Sequence, residues 1–76
     1  MEHKERSEKD IKKLDELIEK FKSLNLDKKY KEVYEYALNY RNDAEHYHNK
    51  EDYFTSFGSA NYAYGMLEAL IMLYES

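Results

Sequence analysis

Cysteine and proline are absent from the 76 residues, tryptophan is absent too, and glycine occurs only twice. Without cysteine there is no disulfide framework and no thiolate metal site. Without proline, and with so little glycine, little interrupts a helix and little supplies the tight turns of a small sheet fold. No run reaches the roughly 18 apolar residues of a membrane span. Residues Met1 to Asp10 are charged and lack the apolar stretch of a signal peptide. The expectation is a cytoplasmic protein with no membrane contact. A formal net charge of -4 argues against a surface built to neutralise phosphates.

What is present is helical spacing. Ser7-Glu8-Lys9-Asp10 has the arrangement of a capping box, and the apolar residues that follow, Ile11, Leu14, Leu17, Ile18, Phe21 and Leu24, form one stripe. This predicts a first helix over about 7–24. Asn25 suits a left-handed helix end and Asp27 a cap, so the chain turns there. A second helix is predicted over about 28–48, with Tyr30, Val33, Tyr36, Ala37, Tyr40, Ala44 and Tyr47 inward. After a second turn at Asn49 to Asp52, with Asp52 as cap, a third helix is predicted over about 53–74. Short turns between helices make antiparallel neighbours. The fold predicted for residues 1–76 is therefore all-α, one domain, an antiparallel three-helix bundle.

The third helix carries few charges, Glu68 and Glu75 only. These residues and Asn61 define a narrow polar line. Ala60, Ala63, Met66, Leu67, Leu70, Leu73 and Tyr74 form the predicted core face. Tyr53, Phe57, Tyr64 and Ile71 flank the polar line on one side, and Gly58, Gly65, Ala69 and Met72 on the other. An apolar arc this wide exceeds what two neighbouring helices cover, which points to an interface. Tyr53, Phe57, Tyr64, Ile71 and Met72 are the candidate contacts for a homo-oligomer or another protein. A glycine inside a helix costs about 1 kcal/mol, so Gly58 and Gly65 are expected to mark close packing, or else a mild kink.

The segment Tyr36-Ala37-Leu38-Asn39-Tyr40-Arg41-Asn42-Asp43-Ala44, then Glu51-Asp52-Tyr53, then Tyr62-Ala63-Tyr64-Gly65-Met66-Leu67-Glu68-Ala69 resembles the short archaeal proteins of the domain of unknown function 357 family. The matching positions are Ala37, Tyr40, Asp43 and Ala44, then Asp52 and Tyr53, then Tyr62, Ala63, Gly65, Leu67 and Ala69. Glu51 stands where the family pattern has a corner glycine, and Glu68 where it has an aspartate. The resemblance implies a three-helix fold and brings no established activity.

Asp43 lies among Tyr40 and Tyr47 on one helix and within reach of Tyr62 on the next. The cluster reads either as a polar clamp that sets register or as a ligand pocket. Arg41 and His46 have the spacing of, and are similar to, the ribonuclease motif of the HEPN superfamily, in which Arg stabilises phosphoryl charge and His moves protons. They sit about 140° apart on one helix, which makes them poor partners for one phosphate. Glu45 and His48 have Glu-x-x-His spacing but point away from the inner stripe. The lysines of the first helix, with exposed tyrosines such as Tyr34, offer a basic-aromatic surface, yet Glu8, Asp10, Asp15, Glu16 and Glu19 largely cancel it. Nucleic acid is not the expected partner. No cofactor, metal, small-molecule ligand or catalytic group is expected, and the favoured function is a non-enzymatic interaction or self-associating module. The alternative is an RNA-associated or nucleotide-handling domain.

Overall fold

A computed structural model describes residues 3–76. The described residues are all-α, with no strand among them: α1 is His3–Ser23, α2 Leu26–Lys29, α3 Lys31–Asn49 and α4 Tyr53–Glu75. Side-chain pairs fix the chain directions. Asp10 meets Asn61 at 2.8 Å and Lys20 meets Glu75 at 3.4 Å, so α1 and α4 run the same way. Ser7 meets His48 at 2.9 Å, and Phe21 stacks on Tyr34 with centroids 6.1 Å apart, so α3 runs opposite to α1.

Two local features depart from the predicted outline. Helix α1 begins at His3, which places Ser7 a full turn inside it and removes its role as a cap. The turn after α1 contains a single-turn helix, α2, because Leu26 is drawn into the core at 1% exposure. Asn25 is left-handed there, with φ 60°. Asp27 lies within α2, and α3 starts after Tyr30 with no side-chain cap.

The core is Leu14, Ile18, Phe21, Leu26, Ala37, Ala44, Ala60, Ala63, Leu67 and Ile71. Alanine at the α3 and α4 contacts lets those two helices lie close, and Ser59 Oγ donates to the Tyr40 carbonyl at 2.8 Å across them. The inner face of α3 differs from the predicted stripe. Tyr36 is 59% exposed and Tyr47 36%, while Tyr34, expected outside, is half-buried on Phe21. Helix α1 draws Tyr34, Leu38 and Arg41 inward and leaves Tyr36 and Tyr47 facing away.

The α3–α4 corner closes in a Schellman arrangement. Glu51 N–H donates to His48 O at 3.0 Å and Asp52 N–H to Tyr47 O at 2.9 Å, with Glu51 left-handed at φ 65°. Asp52 then caps α4, its carboxylate accepting from Thr55 N–H at 3.2 Å, as the sequence predicts. A side chain at positive φ stores strain that glycine does not. Glu51→Gly is therefore expected to stabilise the fold by about 1 kcal/mol, raising Tm by about 4–8 °C. An unchanged or lower Tm in a thermal melt would show that the corner is unstrained.

Candidate functional site

Helix α4 determines what the molecule shows to the outside. Its buried residues are Ser56, Ala60, Ala63, Leu67 and Ile71. This face is turned by roughly 40° from the predicted one at 100° per residue. Ile71, expected on the free shoulder, is 3% exposed and belongs to the core. Leu73 and Tyr74, expected in the core, are 68% and 54% exposed. Ala60, Ala63 and Leu67 are buried as predicted; the pattern misled at Ser56, a small polar residue turned inward, and at the bulky Leu73 and Tyr74 turned outward.

The remaining shoulder residues on Ile71's side are half-covered by α1 and its neighbours. The Arg6 guanidinium lies 4.3 Å from the Phe57 ring and the Lys13 ammonium 5.0 Å from Tyr64, while Tyr53 meets the His48 ring at 5.1 Å. Of the candidate contacts, Met72 alone stands clear, at 64% exposed.

Directly opposite the core, α4 presents Phe54, Gly58, Tyr62, Gly65, Ala69, Met72 and Leu73, all exposed. A Cβ built on Gly58 or Gly65 meets nothing within 4 Å. The close intrachain packing expected of the glycines is therefore not what they do. They are open on the outward face.

At the edge of this face, sharing Phe54, Gly58 and Tyr62 with it, α3 and α4 frame an open groove of about 460 Å³ that also takes Tyr40, Asp43 and Tyr47 from α3. The four residues singled out as clamp or pocket, Tyr40, Asp43, Tyr47 and Tyr62, thus come together. The contact between the helices is made by rings, Tyr40 against Tyr62 with centroids 4.8 Å apart and planes at 44°. No hydrogen bond or ion pair to Asp43 occurs among the described residues, so its carboxylate stands free at the groove.

Arg41 and His46 turn to different neighbours. Arg41 is held by Asp15 across the α1–α3 contact, Nε to Oδ1 at 2.8 Å and Nη2 to Oδ2 at 3.0 Å, and also pairs with Glu45. Its hydrogen bonds to Asp15 chiefly, with Glu45 adding to them against the cost of burial, push the guanidinium further from deprotonation than usual. A guanidinium so satisfied by carboxylates has little left for a phosphate. His46 is exposed and meets the edge of Tyr47 at 5.3 Å.

One polar cluster escaped the sequence reading. Ser56 Oγ donates to the Ala44 carbonyl at 2.5 Å, Ser7 Oγ lies 2.6 Å from Ser56 Oγ, and His48 Nδ1 lies 2.9 Å from Ser7 Oγ. Because the Ser56 proton is committed to the carbonyl, Ser7 donates to Ser56, and His48 must carry its proton on Nδ1. Nε2 faces Glu8 at 3.7 Å. Both serines are fully buried, so their hydroxyls reach no substrate. The signal in the sequence was a serine on the same stripe as Leu14, hidden by its resemblance to a cap.

No group of three or more His, Cys, Asp or Glu side chains suited to a metal ion occurs among the described residues, and no helix there is long and apolar enough to cross a membrane. The fold and its outward face thus define a small all-α protein whose most distinctive surface is an apolar helix. The chain belongs to the family described as protein of unknown function, DUF357, whose model matches residues 9–75. No curated protein and no solved structure matches it.

Proposed function

We propose that this chain is a non-enzymatic interaction module, an antiparallel three-helix bundle that pairs with a second copy of itself through the outward face of α4. The observation that carries this reading is that face: from Phe54 to Leu73 it spans about 29 Å at 1.5 Å per residue, and its centre holds no charge. A helix whose polar surface is this narrow ordinarily buries more of itself than one core face.

Size and charge favour an antiparallel pairing of two copies over a parallel one. In an antiparallel pair with its two-fold axis near Gly65, Tyr62 falls opposite Ala69 and Met72 opposite Gly58, large against small, while glycine meets glycine. A parallel pair would set Tyr62 on Tyr62, Met72 on Met72 and Glu68 on Glu68. The antiparallel pairing also removes that like-charge contact. The exposed glycines acquire a purpose, close approach of two backbones. The four large side chains offer on the order of 500 Å² per copy, which places the pair at the weak end of specific interfaces, with micromolar association.

Sedimentation equilibrium from 10 to 500 micromolar, about the span such an interface requires, tests the reading. The wild type is expected to show a monomer–dimer equilibrium. Met72→Lys brings two lysines into the apolar seam and is expected to weaken it about a hundredfold, taking each desolvated ammonium as roughly tenfold. A wild-type chain that remains monomeric over that range rules the reading out.

A further inference from the structure

We propose that the groove between α3 and α4 binds a small organic cation with a methylated ammonium head. The groove shares Phe54, Gly58 and Tyr62 with the face that self-association covers, so the inference concerns the monomer, and cation binding and pairing compete.

The groove combines four aromatic side chains, Tyr40, Tyr47, Phe54 and Tyr62, with the single carboxylate of Asp43, and no basic residue lines it. Aromatic rings carry negative charge on their faces, so a group of rings attracts a cation and repels an anion. Tyr40 and Tyr62, tilted at 44° with centroids 4.8 Å apart, form a wedge rather than a flat stack. Asp43 supplies a formal charge with no internal partner among the described residues to satisfy it. Asp15 and Asp10, by contrast, are paired, with Arg41 and Arg6. Cations already sit over other aromatic rings of this chain, Arg6 over Phe57 and Lys13 over Tyr64. Here the rings have no such cover.

The methyl groups matter as much as the charge. A bare ammonium or a metal ion is strongly hydrated and gains little from a wall of rings. A methylated head has a lower desolvation cost and buries its methyls against the rings. Gly58 leaves the floor open: a Cβ there meets nothing within 4 Å, so the space belongs to the groove. A volume of about 460 Å³ is at the small-ligand end of binding sites. An open groove of this kind gives dissociation constants of about a millimolar.

The test is a titration of the labelled full chain followed by amide shifts, with choline as the probe and 3,3-dimethylbutan-1-ol as its uncharged carbon analogue. Choline is expected to shift amides around Tyr40, Asp43 and Tyr62 with saturation in the low millimolar range, and the neutral analogue to bind at least about tenfold more weakly. Asp43→Asn, a change at an exposed position, is expected to weaken choline about fivefold. A short peptide carrying trimethyl-lysine separates a free ligand from a protein tail: choline binding at least as tightly as the peptide supports the free cation, and a peptide that binds markedly tighter overturns that part. Each titration is repeated on Met72→Lys, whose changed residue lies outside the groove, so that a failed self-association and an absent cation site give different results. Equal binding of choline and its neutral analogue, or no saturable shift in either protein, overturns the proposal.

Discussion

Ile71→Lys is expected to leave no folded protein at 25 °C, whereas Met72→Lys, one position on, is expected to leave the monomer's stability within about 0.5 kcal/mol of the parent. Ile71 is 3% exposed among core side chains, and Met72 is 64% exposed on the opposite side of the helix. Lysine at 71 loses an apolar contact and buries an ammonium with no partner supplied, together several kcal/mol. A chain of 76 residues has about 4–5 kcal/mol of stability in all. Urea melts followed by circular dichroism read the contrast. If the lysine at 71 were tolerated, Ile71 would have to lie outside the core, on the free shoulder where the sequence placed it.

That rotation of α4 shows where a sequence reading reaches its limit. Stripes were legible where the core uses bulk: Leu14, Ile18 and Phe21 of α1 are buried as their spacing predicts. Ala60 and Ala63 of α4 are buried as predicted too. The stripes failed at Ser56, which carries no hydrophobic signal yet bonds the Ala44 carbonyl of α3. Leu73 and Met72 carry strong signal and stand in solvent. A helix whose polar line is as narrow as Asn61, Glu68 and Glu75 gives only a weak reading of its orientation, so its neighbours decide it. The Arg6, Asp10 and Lys13 side chains of α1 hold Phe57, Asn61 and Tyr64, and those contacts fix the rotation.

The candidate site was partly legible for a related reason. Tyr40, Asp43 and Tyr47 share one side of a helix by spacing alone, and Tyr62 was within reach across the turn. Whether they close into a clamp or stay open depends on where the tyrosine hydroxyls point, which spacing does not determine. Arg41 illustrates the opposite case. Its motif suggested phosphate chemistry, and only the position of Asp15 on another helix shows the guanidinium already engaged.

The buried hydroxyl chain yields a prediction whose order, as well as size, can be wrong. Ser56→Ala removes the acceptor of the fully buried Ser7 hydroxyl, and that proton is left with no partner; the expected loss is about 2 kcal/mol. Ser7→Ala leaves Ser56 still donating to Ala44 and deprives only His48 Nδ1, whose ring is within reach of water, so about 1 kcal/mol is expected. The double variant should lose less than the two added, since one bond is common to both. Nitrogen shifts of the His48 ring supply an independent reading. The parent is expected to hold its neutral-form proton on Nδ1, against the usual preference for Nε2, and Ser7→Ala is expected to let it return to Nε2. A parent ring already protonated on Nε2, or a larger loss from Ser7→Ala than from Ser56→Ala, would reverse the direction of the chain and make Ser7 the donor to the imidazole. Ser56 would then have to serve Ala44 and Ser7 with a single proton, so the measured tautomer decides whether α1, α3 and α4 are joined here by three satisfied hydrogen bonds or by two.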